Sequence, residues 1–185
     1  MRKILLEGLI GRPLTEAPPA QDDDMLAELA AGVNRAARRR LGRSLSIREV
    51  DAGSCNGCEL EIHAINNVLY DLERFGIRFV ASPRHADVLL VTGPVTVNMR
   101  EALERTYQAT PHPKWVVAVG DCARDGGVFS GSYACVGGVS SILPVDLHIG
   151  GCPPSPLALL KGLLALLECV DHDGSRELEK KNLKA

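Results

Sequence analysis

Two short runs of this chain are almost wholly apolar: Val88–Thr92 (VLLVT) and Trp115–Val119 (WVVAV). Both are rich in β-branched side chains and both stop at glycine, Gly93-Pro94 in one case and Gly120 in the other. That pattern predicts strands buried on both faces. Elsewhere the hydrophobic period lengthens to that of a helix. Ile62, Ile65, Leu69 and Leu72 recur on one face and predict a helix from about Glu59 to Phe75. Further helices are expected over about Asn98–Gln108 and Leu157–Leu167, the second following Pro153, Pro154 and Pro156. Near the start, Asp22, Asp23 and Asp24 precede a helical segment, Met25–Leu41, that closes on Arg35, Arg38, Arg39 and Arg40. Acids at the start and bases at the end suit the helix dipole, and the arginines read as a solvated helix end. Shorter strands are expected at Ser46–Val50, Ile77–Ala81 and Asp146–Ile149.

Strands that alternate with helices imply a mainly parallel sheet covered on both faces. The expectation is an α/β, flavodoxin-like fold with about five strands. The chain divides into an N-terminal extension with its helix (1–44), suited to docking partners, an α/β domain (45–170) and a polar tail (171–185).

Composition narrows the function. Aromatic residues make up only 4% of the chain, which leaves no stacking platform for nucleic-acid bases. A formal net charge of −2 provides no basic field for nucleic acid or an anionic membrane. The apolar start, Met1–Ile10, is broken by Glu7 and Gly8 and reads as too short for a secretory signal. Arg38–Arg40 is followed by polar residues rather than the apolar region of a twin-arginine signal. No apolar run approaches the roughly 18 residues that span a bilayer. A cytosolic setting follows, with any membrane attachment made through partners. In a reducing compartment six cysteines point to metal or redox chemistry rather than disulfides.

Cys55 and Cys58 follow the first expected strand, Cys122 follows Trp115–Val119, and Cys152 follows Asp146–Ile149. All four fall at carboxyl ends of strands, the edge where open α/β sheets bind ligands. Gly53, Gly57, Gly120, Gly126, Gly127, Gly150 and Gly151 crowd the same loops, so backbone amides can approach and point at sulfur. Cys152-Pro153 has the form of the Cys-Pro that closes ferredoxin cluster motifs. Four thiolates also suit structural zinc, although zinc more often takes two close pairs than one pair and two distant singles. A lone Cys-x-x-Cys redox pair would leave Cys122 and Cys152 without a purpose. Cys169, after the last apolar run, reads as a packed thiol. Cys135, in a Gly/Ser-rich loop, has no visible partner.

The run Asp51-Ala-Gly-Ser-Cys-Asn-Gly-Cys-Glu-Leu-Glu, with Thr92-Gly-Pro, Gly120-Asp-Cys-Ala and Gly151-Cys-Pro-Pro, resembles a known family over about residues 45–168. It is similar to the small subunit of membrane-bound, energy-converting [NiFe] hydrogenases of the formate hydrogenlyase type. That family is related to the cluster-bearing complex I subunit beside the quinone site. The opening Leu5-Leu-Glu-Gly resembles the hydrogenase branch.

The resemblance implies one [4Fe–4S] cluster on Cys55, Cys58, Cys122 and Cys152. It also implies a [NiFe] large subunit, a ferredoxin-like iron–sulfur subunit and membrane subunits as partners, and a peripheral place on the cytoplasmic side of the membrane. Complex I subunits carry adjacent cysteines at the first block, whereas Asn56-Gly57 separate them here, which favours the hydrogenase branch. A complex I-like quinone or ion-translocating oxidoreductase is the alternative. No nickel-binding pair or nucleotide fingerprint is present, so the chain is expected to carry electrons without catalysing a reaction itself. Asp121 and Arg124 flank Cys122 as candidate charges that tune the potential. Glu59 is either a first-turn acid complementing its helix dipole or a proton relay or interface contact. His63 reads as a polar-face residue.

Overall fold

The computed structural model describes residues 23–68 and 70–168; Leu69, Cys169, the first 22 residues and the polar tail lie outside the described residues. In chain order the elements begin with α1 (Asp23–Leu41), β1 (Leu45–Asp51), α2 (Gly57–Ile65), β2 (Ile77–Phe79), β3 (Val88–Thr92) and β4 (Val95–Thr96). They continue with α3 (Val97–Ala109), β5 (Trp115–Val119), α4 (Asp121–Asp125), β6 (Cys135–Gly137), β7 (Leu147–Ile149) and a helix α5 over 156–168.

Five of the strands form one sheet in the order β2-β1-β3-β5-β7, every neighbouring pair parallel. Counting only these strands, the order is that of flavodoxin, with the reversal of direction between β1 and β3. β3 and β5 are buried along their whole length, as their unbroken apolar runs require. One face carries Val33 of α1, Ile62 and Ile65 of α2, and Leu159, Leu160 and Leu163 of α5, packed on Leu45, Ile47, Leu90 and Val117. The other carries Leu103 of α3 and Ala123 of α4, packed on Leu89, Val91, Val116 and Ala118. A fully buried leucine or isoleucine contributes about 1.5–3 kcal/mol, so these two layers supply the main driving force for the fold.

The expected helix over 59–75 is shorter. It ends at Ile65, where Asn66 and Asn67 turn their amides onto His63 and Ala64. A 3₁₀ turn, Leu72–Phe75, then brings Leu72 back into the core. The apolar period continues through the break because burial, rather than helix, selects those positions. Sequence reading also missed a small antiparallel pair in which Val95 faces Gly137 and Thr96 faces Cys135. This pair folds the loop after α4 back against the start of α3. The arginine-rich end of α1 is not wholly solvated, since Arg40 lies over the Trp115 ring at 5.0 Å.

At the end of the sheet where strands begin, buried Asp87 accepts from the Ser46 amide (2.9 Å) and from the Arg43 guanidinium. Asp146 accepts from the Val116 amide at 2.7 Å. Both carboxylates thereby link neighbouring strands at their starts.

Candidate functional site

The opposite end of the sheet collects the four cysteines. β1 ends in Asp51, whose Oδ1 accepts from the amides of Gly53 and Ser54, both at 2.7 Å, and so folds the start of the next loop. Ser54 Oγ then accepts from the Asn56 amide at 3.1 Å. Asn56 itself is left-handed (φ 69), a conformation asparagine tolerates better than most residues, and α2 starts immediately after it. This local turn sets Cys55 and Cys58 on the wall of one cavity. Cys122 reaches the same cavity from α4, which starts directly after β5, and Cys152 reaches it from the loop after β7.

The cavity is about 80 Å³, lined by the four cysteines with Ser54, Asp121 and Pro153 among others. One water needs only about 10–15 Å³ on such a measure, so the space suits a larger group. Among the described residues no group of three or more His, Cys, Asp or Glu side chains stands where it could hold a metal ion. The four cysteines do share the wall of one cavity.

Gly57, Gly93 and Gly151 line this volume, and two further glycines leave room for its sulfurs. A Cβ at Gly120 (φ 87) would lie 2.6 Å from Cys58 Sγ, and one at Gly127 (φ 48) would lie 2.8 Å from Cys122 Sγ. Both positions therefore exclude side chains twice over, by space and by backbone conformation. Cys122 is buried and Cys58 half-buried, while Cys55 and Cys152 lie exposed at the rim.

Burial pushes the Cys58 thiol up to about 12, with Glu59 and then the other three cysteines adding to the shift. Burial also raises Cys122, opposed by a hydrogen bond from the Val128 amide. Four negative sulfurs cannot coexist here unaided; a cationic metal group would supply the missing charge. The donor set and the glycine-lined cradle fit an iron–sulfur cluster.

Glu59 is in the first turn of α2 yet only 6% exposed, and neither carboxylate oxygen has a hydrogen-bond partner. Its first-turn position suits an acid complementing the helix dipole, and its burial without a partner is an arrangement that a relay or interface contact would share. Nearby Glu49 Oε1 and Arg48 Nε are likewise buried without partners. Burial raises the Glu49 carboxyl; His63 opposes the shift, and Glu59 and Asp51 add to it. Sequence reading missed Glu49, although strand alternation sets it on the face of Leu45 and Ile47, an unusual place for a charge. His63 is exposed, and Cys135 lies outside the cavity wall, half-buried on β6. A larger groove of about 340 Å³ runs between α1 and α5, with Met25, Leu29, Arg35, Lys161 and Leu164 on its walls. It gathers no thiols, so size alone does not locate the chemistry.

A parallel α/β sheet with four thiols around a cavity at its carboxyl edge defines a candidate iron–sulfur protein. The chain belongs to the family of the NADH ubiquinone oxidoreductase 20 Kd subunit, whose pattern matches residues 55–166. It is 44% identical to formate hydrogenlyase subunit 7 of Escherichia coli over 88% of this chain and 64% of that protein. The chain thus spans less than two thirds of that relative's length. It is 48% identical to a probable membrane-bound hydrogenase subunit of Pyrococcus furiosus, over 69% of this chain and 77% of the relative. Among solved structures it is similar to a chain of the membrane-bound sulfane sulfur reductase, an archaeal respiratory membrane complex. The TM-score is 0.63 at 35% identity, covering 77% of this chain and 76% of that one. Among the described residues no helix is long and apolar enough to cross a membrane.

Proposed function

We propose that this chain is an electron-transfer subunit holding one [4Fe–4S] cluster on Cys55, Cys58, Cys122 and Cys152. In this reading electrons pass between a ferredoxin-like subunit and the [NiFe] centre of a hydrogenase large subunit. The observation that carries the proposal is the ring itself: four thiols from three strand ends around one glycine-lined volume, with Gly120 and Gly127 leaving room for two of the sulfurs. A volume ringed by thiols favours a multi-iron group over a single zinc ion, whose four sulfurs would stand about 2.3 Å from one point. Bound there, the cluster would supply a one-electron carrier.

The chain's own residues supply the rest. The Val128 amide donates to the Cys122 sulfur, and hydrogen bonds of this kind favour the more negative state of a cluster. The α2 and α5 layers keep water from the inner side. Glu59, buried beside Cys58 without a partner, would meet a donor from the large subunit or hold a proton at Oε1 or Oε2. The groove along α1 would help the N-terminal segment 1–44 hold neighbouring subunits, including membrane subunits that keep the chain peripheral on the cytoplasmic side.

A second reading, a subunit of a complex I-like quinone or ion-translocating oxidoreductase, draws support from the family's name and from the sulfane sulfur reductase likeness. Metal analysis of the anaerobically purified complex separates the two. Iron and nickel together, with hydrogen evolution, support the hydrogenase reading. Iron without nickel moves the assignment to the second, and zinc alone overturns electron transfer altogether.

A further inference from the structure

Asp121 stands between Gly120 and Cys122, at the start of α4, and grips the loop that carries Cys152 at two points. Its amide donates to the Gly151 carbonyl (3.0 Å), and its Oδ1 accepts from the Gly151 amide (3.1 Å). A third bond, from the Gly120 amide to the Ile149 carbonyl at 2.7 Å, closes the same seam. The residue before Cys122 is thereby fastened to the residue before Cys152, and Asp121 forms part of the cavity wall.

The charge on that carboxylate is not isolated. Arg124 Nη1 lies 3.5 Å from the same Oδ1. The remainder of its guanidinium donates to Asp125 Oδ2, at 3.2 Å from both Nε and Nη2. Asp125 Oδ1 in turn accepts from the Gly127 amide at 2.9 Å, where the missing side chain makes room for the Cys122 sulfur. A chain of charges therefore runs from the Cys152 loop to the backbone cradle behind Cys122.

We propose that Asp121 is a positioning residue that locks the Cys152 loop onto the Cys122 helix, and that Asp121 and Arg124 set the potential of the bound group in opposite directions. The inference rests on reading the four thiols as cluster ligands. A purely structural clasp would need only an acceptor for the Gly151 amide, which asparagine also offers. A fixed carboxylate in the wall does more. It disfavours the additional negative charge of the reduced state and lowers the potential, while the guanidinium partly offsets it. Solvent weakens both effects, the second more strongly, because the Arg124 side chain is 52% exposed and that of Asp121 37%.

The test uses the anaerobically purified complex with Asp121→Asn, Asp121→Ala or Arg124→Gln. The readouts are iron and sulfide per copy, the electron paramagnetic resonance spectrum and a redox titration. Asp121→Asn is expected to keep its iron and to raise the reduced-to-oxidised ratio at fixed poise about tenfold, a positive shift of about 59 mV for a one-electron couple. Arg124→Gln is expected to shift the titration the opposite way by less. Asp121→Ala, which loses the acceptor as well as the charge, is expected to shift as Asp121→Asn does and to shed iron. Titrations unchanged by Asp121→Asn, or shifted alike by Asp121→Asn and Arg124→Gln, would overturn the inference. A parent complex without iron and sulfide would instead sink the cluster reading beneath it.

Discussion

At the end of the sheet where the strands begin, Asp87 is held by the Ser46 amide and Arg43, and Asp146 by the Val116 amide. Past the end where they finish, Glu59 buries both carboxylate oxygens without partners and four thiols face a cavity, while Glu49 and Arg48, midway along β1, each bury one unpartnered polar atom. Both ends belong to the same strands, and β3 and β5 run fully buried between them. Native proteins rarely leave buried polar atoms unpaired, because each such atom costs about 1–3 kcal/mol. The first end is satisfied within the chain, whereas the unpartnered atoms among the described residues lie from the middle of β1 to the start of α2. This contrast separates what holds the fold from what lines the candidate site.

The largest expected effect comes at the finishing end. Replacing Cys122 or Cys152 by alanine should remove most of the iron from the anaerobically purified complex, while Cys135→Ser should leave it unchanged. Iron lost from the Cys135 variant, or kept by either of the others, would break the assignment of the ring. Gly120→Val comes next, because its Cβ already falls 2.6 Å from Cys58 Sγ. Iron per copy should drop severalfold while far-ultraviolet circular dichroism stays that of the parent, which would show the cavity failing before the fold.

Asp87→Ala probes the other end. It strands the Ser46 amide and leaves Arg43 unpaired, so urea denaturation of the isolated chain should show a loss of about 2 kcal/mol. In the assembled complex, iron per surviving copy should stay constant. A preserved denaturation midpoint would erase the contrast between the ends. Glu59→Gln keeps the shape of the side chain, replaces one carboxyl oxygen by an amide nitrogen and should keep the iron. A fall in turnover would then fit the relay or interface role, and unchanged turnover would end it.

The smallest effect is in pH dependence. Burial holds the Glu49 carboxyl above its ordinary value, so the folded chain keeps that proton longer than the unfolded one. The stability linked to it is fully present below the ordinary value and declines as pH rises through the raised one. Glu49→Gln should flatten that slope in urea denaturation curves measured across the acid range. Parallel curves for parent and variant would remove Glu49 from the set of strained groups.

Much of the scaffold was legible because local pattern and burial coincide there. Val88–Thr92 and Trp115–Val119 form strands at the expected bounds, since an unbroken apolar run fits a parallel strand buried on both faces. The three strand ends that carry the four cysteines could be set on one edge for the same reason, because topology rather than side-chain detail brings them there. The break after Ile65 was hidden: Leu72 keeps the apolar period whether the chain is helical or turned. The β4–β6 pair and the Asp121 clasp depend on partners distant in sequence, and no local window contains both halves. Glu49 had a visible signal, a charge on the apolar face of a strand, but its meaning depends on Glu59 lying nearby.

The order of strands also has a temporal side. During synthesis Cys55 and Cys58 emerge early, Cys122 follows, and Cys152 comes last, behind the edge strand β7. Domains generally fold as units, so the cysteines of this one sheet come together only once β7 and Cys152 have left the ribosome. A nascent chain therefore presents two thiols, then three, and gains the fourth only when β7 docks beside β5. The docking of edge strand β7 beside β5 is the step that brings Cys152 to the other three thiols, so a chain cut before β7 has at most three of the four.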